Sequence, residues 1–541
     1  MIKLHLSNND IIEVEQGTSI LKVIQDRSDR EHIYGGIFNG SLHELTYLLK
    51  EDGDLTFIYD KSTAGILIYE RTLNFLLIVA VHQLFKDASV HMEHALSRGQ
   101  YCDIIKPGDI TPQDVEQIRA KMLELVSKKK KITRNVIPTK EAIAYFESIG
   151  MENKANLLRE RKTATSTVYS LCNWHDYFYG FMLPDTSYIK HFSICFYSPG
   201  LWLSAEATFY NQTNLFGVFQ EFETWGKLID VSNVAQLNEQ IQHGHMNDLV
   251  LMSEAMIEKK LAELAVKICT QRRETKFVII AGPSSAGKTT FSKRLAIHLK
   301  ILGKTPLAIS MDDFYKNRQD CPKLADGTYD FECIEALDIQ LFNETMLNLL
   351  QKKPVKLPIF NFKTGLREWA DKETRLGEGE ILIIEGIHGL NPKATTYLPE
   401  EAKFKIYINA LTHLKLDEHN RIPTSDYRLI RRIARDNQSR AISPQENIAI
   451  WKNVQNGEDK YIYPYQEEAD IIFNSSMIYE LPILKKIVVP LLNKVGKEDI
   501  AYLEANRLKN FLLYFADGDA SAVPRSSILA EFIGNSIFDV S

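Results

Sequence analysis

Gly282-Pro-Ser-Ser-Ala-Gly287-Lys288-Thr289 satisfies GxxxxGK[ST] at every fixed position. Before it, Phe277–Ala281 is a short apolar run rich in β-branched residues, which predicts a buried strand. After it, Phe291–Lys300 reads as an amphipathic helix. Strand, glycine-rich loop and helix form the setting in which backbone N–H groups and a helix N-terminus cradle a polyphosphate. Gly282, Ser284, Ser285, Ala286, Gly287, Lys288, Thr289 and Thr290 are the expected lining. Lys288 can reach the β and γ phosphates, and the Thr289 hydroxyl can face Mg2+. No NKxD guanine-reading motif occurs, so ATP with Mg2+ is expected.

Three further clusters carry chemistry. Asp312 and Asp313 follow a predicted strand, Pro306–Ile309, at the strand end where α/β sheets place reacting groups. Glu385 follows a second apolar run, Glu380–Ile384, which suits a carboxylate holding Mg2+ directly or through water. Residues 428–440 contain five arginines against one acid. Arg428, Arg431, Arg432 and Arg435 fall at helical spacings of three and four. With so few acids the segment makes a poor ion-pair ladder, and a phosphate-clamping lid is the better reading.

These residues need a framework, and 541 residues exceed one ordinary core. Hydrophobic content of 45% and charged content of 25% fit a soluble globular chain. A net charge of −6 supplies no global basic field for nucleic acid. Six scattered cysteines without a CxxC pair fit reduced thiols, and a cytoplasmic location without a membrane span is expected. Ile2–Leu6 and Ile11–Val14 read as strands about the turn 7–10, with Thr18 as the cap of a short helix. Tyr69–Phe85 and Thr111–Lys130 read as helices, and His91 and His94 could share a helix face. Leu249, Met252, Met256, Leu261, Leu264 and Ile268 form an apolar helical stripe within Val234–Arg273, expected to pack the two halves together.

Thr18-Ser-Ile-Leu-Lys-Val-Ile, Phe38-Asn-Gly and Gly53-Asp-Leu-Thr-Phe-Ile resemble the TGS domain of threonyl-tRNA synthetases. Residues 61–230 are similar in element order to the editing-type domain of threonyl- and alanyl-tRNA synthetases. That resemblance implies zinc ligands at Arg71, Phe75, Phe178 and Met182, and none of these is a usual zinc ligand. Metal-centred editing is therefore not expected.

The motifs GPSSAGKTT, SMDDFY, YDFECIEALD (329–338), LPIFNF (357–362), LIIEGI and RLIRRIARD resemble the uridine kinase and phosphoribulokinase family of P-loop kinases. The resemblance implies that Asp312 is the catalytic aspartate and that Glu385, with Thr289 and Asp312, attends the metal. Arg431, Arg432 and Arg435 fall in the lid helix, beside Lys288 among the catalytic groups. Tyr315, Glu332, Phe360 and Arg428 join Asp312 on the substrate side, Glu332 standing where the family grips ribose. Phe360 and Gly365 replace the tyrosine and histidine that uridine-cytidine kinases place near the base.

The implied fold is α/β multidomain. It comprises a ubiquitin-like β-grasp domain (1–60), an α+β editing-like domain (61–230), a helical connector (231–273), a P-loop kinase with a parallel sheet flanked by helices (274–495) and a helical tail (496–541). The implied function is ATP-dependent phosphorylation of a nucleoside, uridine or a relative at the 5′ position. The alternatives are a nucleotide-regulated RNA- or ribosome-binding protein and a kinase of another small alcohol. Contact with tRNA or the ribosome and an oligomeric state stay open. The whole order is similar to that of a bacterial class of uridine or nucleoside kinases, whose C-terminus the segment 526–536 (SSILAEFIGNS) also resembles.

Overall fold

A computed structural model describes residues 1–7, 10–161, 163–205, 208–271, 275–324, 327–361 and 363–539. Asn8 and Asn9 of the expected first turn, Arg272 and Arg273 of the connector and Phe362 of LPIFNF lie outside the described residues.

Ile2–Leu6 alternates buried and exposed side chains, as a half-buried strand must. It pairs antiparallel with Ile11–Val14 and parallel with Gly53–Tyr59, and Ile33–Phe38 and Ser41–Glu44 complete a five-stranded sheet. A one-turn helix, Ile20–Val23, is capped by Ser19, whose hydroxyl accepts from Lys22 N at 3.2 Å. The expected cap, Thr18, is committed instead through its backbone to Glu15 and Leu49.

The helix Thr63–Leu84 is long and apolar enough to cross a membrane, yet 67% of its most apolar window is buried within the protein. Phe75 through Val81 are each at most 1% exposed. A four-stranded sheet (Ser193–Tyr197, Gly200–Ser204, Gly99–Ile105, Ser89–Leu96) and a three-stranded one built on Thr165–Leu171 enclose it. His91 and His94 lie on the strand Ser89–Leu96, not on a helix. A tight turn at Ser97 and Arg98, both at positive φ, folds that strand back onto Gly99–Ile105. His94 stacks on Phe219, and burial drives its pKa down to about 3.

Two helices, Val234–Gln242 and Met246–Gln271, lead into the C-terminal half. Leu249, Leu261, Leu264 and Ile268 pack inward, whereas Met252 is 42% exposed and falls off the stripe. The second sheet of interest is fully parallel. Its order is Thr305–Ser310, Glu380–Glu385, Phe277–Ala281, Lys403–Asn409, Ile471–Asn474. Phe277–Ala281 is central and buried at every residue, which explains its unbroken apolar sequence. A two-stranded ribbon, Val355–Asn361 with Leu366–Thr374, stands beside this sheet.

The halves are sealed by side chains. Lys154, buried completely, pairs with Asp176 of its own half and lies 3.7 Å from Asp417 and 3.0 Å from His419 Nδ1 of the other. Arg294, on the helix that follows the glycine-rich loop, pairs with Glu254 at 3.2 Å and Glu258 at 2.6 Å on the connector. One hydrophobic core runs from Ala142 to Phe532 and takes residues from the editing-like segment, the connector, the parallel sheet and the C-terminal tail.

Candidate active site

The glycine-rich loop leaves the central strand at Gly282, where a Cβ would collide with the carbonyl of Ile408. Gly287 has φ +84°, a left-handed conformation that glycine adopts without strain, and starts the helix Lys288–Ile301. Among the described residues, the N–H groups of Ser285, Gly287, Lys288 and Thr289 meet no protein acceptor. The Ser285 hydroxyl is buried and likewise unpartnered. Unsatisfied donors at a helix N-terminus make an anion site. Lys288 Nζ folds back to donate to the carbonyls of Gly282 at 3.1 Å and Pro283 at 3.3 Å.

The loop is held from its carbonyl side. Arg428 donates to Ser284 O at 3.0 Å, Arg431 to Ser285 O at 3.3 Å, and Ser475 Oγ to Ala286 O at 2.6 Å. The arginine helix, Thr424–Ser439, is therefore a brace packed into the core. Arg428 and Arg431 are matched by acids from elsewhere, which corrects the view of an unbalanced arginine run. Glu458 takes both Arg428 Nη1 (2.5 Å) and Nη2 (2.6 Å). Glu480 takes Arg431 Nε (2.8 Å) and Nη2 (2.6 Å). Arg435 turns to Asp436 at 2.7 Å. Arg432 reaches the loop itself, donating to the Ser284 hydroxyl at 2.9 Å.

The reacting side gathers three carboxyls. Thr289 Oγ1 donates to Glu385 at 3.4 Å. Burial raises the Glu385 pKa to about 7, with Lys288 opposing and Asp312 adding to the rise. Burial also raises Asp312, against the pull of Lys288 and Arg440. Glu332 is pushed to about 7 by burial and by Glu458. Acids kept in place despite raised pKa values mark a site that receives positive charge. The segment Met311–Phe314 is a 3-10 turn and not extended strand, so Asp312 and Asp313 diverge by helical geometry. Asp313 accepts from Phe360 N at 3.2 Å, while Asp312 lies beside Lys288.

Tyr315, Phe331 and Phe360 form an aromatic wall, with Tyr315 5.6 Å from Phe360 and 6.1 Å from Phe331 between ring centroids. Gly365 is pressed on Arg318, whose Cβ would lie 2.8 Å from a Cβ added there. That position carries no side chain for reading a base.

Thr289, Glu385 and Asp312 fit Mg2+: a hydroxyl already touching a buried carboxyl, and a second carboxyl whose ionisation a cation would favour. Among the described residues, no cluster of three or more His, Cys, Asp or Glu forms a complete metal cage. Mg2+ bound through one or two carboxylates and substrate phosphates needs no such cage.

The C-terminal tail enters the site unannounced by the sequence. Glu531 Oε2 accepts from Thr290 Oγ1 at 2.7 Å and from Thr290 N at 3.4 Å. Ile528 packs on Gly287, and Phe532 lies under the Arg431 guanidinium at 4.8 Å. Glu458, Glu480, Ser475 and Glu531 were all missed from sequence. A buried arginine run implies acids somewhere, but nothing local says which.

Residues 277–480 match the model of the Phosphoribulokinase / Uridine kinase family, so the C-terminal half contains a domain of that family. The N-terminal half is similar to threonine–tRNA ligases. The Janthinobacterium sp. protein is 33% identical over 168 residues, 31% of this chain and 26% of that protein. The Pelobacter propionicus protein is 32% identical over 171 residues, 32% and 27%. The chain thus matches about a quarter of the length of these relatives. Among solved structures, a "Possible Uridine Kinase" from Bacillus stearothermophilus is 17% identical, with 40% of this chain and 98% of that one covered at TM-score 0.26. D-glycerate 3-kinase from Cryptococcus neoformans is 13% identical, with 47% and 87% covered at TM-score 0.22.

The four expected zinc positions do converge, and they converge as packing. Phe75 and Phe178 meet edge to face at 5.2 Å, Met182 is buried, and Arg71 donates to Phe181 O at 2.6 Å.

Proposed function

We propose that the chain transfers the γ-phosphoryl group of ATP to the hydroxyl of a small alcohol, with a nucleoside such as uridine, at its 5′-OH, as the leading acceptor. The observation that carries this is the cup of N–H groups at Ser285 and Gly287 to Thr289 that meet no acceptor among the described residues, with Asp312 in electrostatic reach of Lys288. Phosphoryl transfer asks mainly for positioning and charge neutralisation. The loop amides and Lys288 bind the phosphates. Asp312 orients the acceptor hydroxyl and takes its proton late in the transfer. Arg432, joined to the Ser284 hydroxyl and near Glu332, lies where transferring charge passes. Mg2+, held by Thr289 and Glu385, would supply charge neutralisation between the phosphates. The aromatic wall of Tyr315, Phe331 and Phe360 suits a planar base, while Gly365 offers nothing to distinguish one base from another.

The test is ATP consumption by the purified full chain across nucleosides and sugar alcohols, with Lys288→Ala as the control. Loss of that lysine should cost on the order of 10²–10³ in rate while circular dichroism stays unchanged. Near-normal turnover by Lys288→Ala would sink the assignment. A second reading, a nucleotide-regulated RNA-binding protein, is favoured by the likeness to threonine–tRNA ligases. Steeply salt-dependent tRNA binding with no acceptor turnover would select it.

A further inference from the structure

A cavity of about 570 Å³ opens where every part of the chain meets, and no residue of the phosphate loop borders it. Ile58 comes from the N-terminal sheet, Arg71 from the long apolar helix, and Phe178 and Phe181 from the loop after the three-stranded sheet. Arg421 comes from the kinase half and Phe511 from the C-terminal helix Tyr502–Leu512. Its volume lies within the range of small-molecule pockets.

Three arginines and three acids line it, and they are not paired one to one. Arg507 holds Asp426 at 2.6 and 2.8 Å and Glu504 at 2.6 and 2.8 Å, so these two lining acids share one cation. Arg71 has the Phe181 carbonyl and, among the described residues, no ion pair. Arg421 likewise forms none among the described residues. The remaining lining acid, Glu70, has an interaction of its own and favours the charged form of Arg71. Burial pushes the pKa of the half-buried Arg71 down to about 10, and the like charge of Arg507 acts in the same direction.

Room is made for this guanidinium. Gly180 has φ +122°, and a Cβ there would lie 2.5 Å from Arg71 Cζ. The backbone thus admits a charged fork into an aromatic-walled space and gives it one carbonyl. A guanidinium presents five donors in a plane that matches a carboxylate or phosphate.

We propose that this cavity binds a small organic anion. Its carboxylate or phosphate would be gripped by Arg71, with Arg421 as the second cation, and its apolar body would lie against Phe178, Phe181 and Phe511. The site is separate from the phosphate loop and does not depend on the kinase reading.

Calorimetric titration of the full chain with phenylacetate, phenyl phosphate and neutral 2-phenylethanol tests this. One or both anions should bind at one site with Kd of about 1 mM or lower, and the alcohol should not. Phenylacetate alone would identify a carboxylate host, and phenyl phosphate alone a phosphate host. Arg71→Met should weaken binding at least about tenfold, and Lys288→Ala should leave it unchanged. Arg71→Met should also keep or raise Tm, because it removes an unmatched charge. The proposal is overturned if neither anion binds, if binding survives Arg71→Met, or if Lys288→Ala abolishes it. A lowered Tm in Arg71→Met would overturn it too, by making the guanidinium a structural group.

Discussion

Arg431 and Arg71 are both arginines drawn into the protein, and the two halves treat them differently. Arg431 is wholly buried, its fork filled by Glu480 and its remaining donor shared between Ser285 O and the Ser475 hydroxyl. Arg71 faces a cavity with a single carbonyl. Around the phosphate loop, acids are kept even where burial penalises them, as the raised Glu332 and Glu385 show. In the synthetase-like half, the four positions that the family resemblance assigns to zinc hold two rings, a thioether and an arginine with no ion pair among the described residues. A fold that maintains costly polar groups in one place and packs apolar ones in the equivalent place elsewhere shows where its chemistry lies.

The strongest way to break this contrast is at Asp312. Asp312→Asn should lower kcat by about 10²–10⁴ and leave ATP binding largely intact, since the loop amides still hold the phosphates. Asp313→Asn should cost far less, because the amide oxygen can still accept from Phe360 N. Kinetics of both variants with one good acceptor decide the matter. A more damaging Asp313→Asn would move the general-base role by one residue.

The matched arginine can be tested next. Glu480→Gln strands Arg431 as a buried cation and should lower stability to urea by about 3–5 kcal/mol. It should also loosen the loop, since Arg431 donates to Ser285 O. Arg71→Met, which instead removes a cation that has no ion pair among the described residues, should not destabilise the chain. If both variants lose stability equally, the contrast between the halves is gone.

The sequence made the phosphate loop, its strand and helix, and the two carboxylate-bearing strand ends legible, because each is a local pattern of a few residues. The strands Ile2–Leu6, Ile11–Val14 and Phe277–Ala281 lie where hydrophobic periodicity puts them. What could not be read was non-local. Arg428 and Arg431 looked like free cations because Glu458 and Glu480 lie 30 and 49 residues further on. His91 and His94 could share a helix face only by their spacing of three, whereas the glycine-centred turn in 91–103, with Ser97 and Arg98 at positive φ before Gly99, belongs to a hairpin. The tail segment 526–536 carried a resemblance but no role, since one glutamate in an apolar run reads as a surface residue until Thr290 is found beside it.

A pH dependence follows from Glu332. Its pKa rises from 4.5 to about 7 on folding, chiefly through burial. A carboxyl raised in this way favours the folded state below pH 4.5, and that advantage is lost as pH rises through 7. Glu332→Gln, which mimics the protonated form, should therefore stabilise the chain at pH 8 by up to about 3 kcal/mol and leave it unchanged near pH 4.5. Urea titrations at the two pH values check this. A gain of equal size at both would show that packing, not ionisation, is responsible.

The smallest effect concerns Glu531 of the C-terminal tail. Thr290 offers a hydroxyl and an amide at the first turn of the loop helix, and the Glu531 carboxylate accepts both. A phosphate oxygen arriving there is also an anionic acceptor, so the two compete for the same donors and repel each other. Nucleotide binding must then move the Glu531 side chain or the tail that carries it. Glu531→Gln keeps an acceptor for the hydroxyl and removes the charge. Ile528 on Gly287 and Phe532 under Arg431 should still dock the tail. The variant should bind ATP roughly three- to tenfold more tightly, a gain of about 1 kcal/mol, with kcat unchanged. Deleting residues 524–541 should add to that gain if the tail itself blocks entry, and should weaken binding if its apolar contacts support the loop. Equilibrium binding of a non-hydrolysable ATP analogue to the three proteins separates these cases. Unchanged affinity in Glu531→Gln would mean that the phosphates never reach Thr290, and the lining assigned to the loop would then end at Thr289.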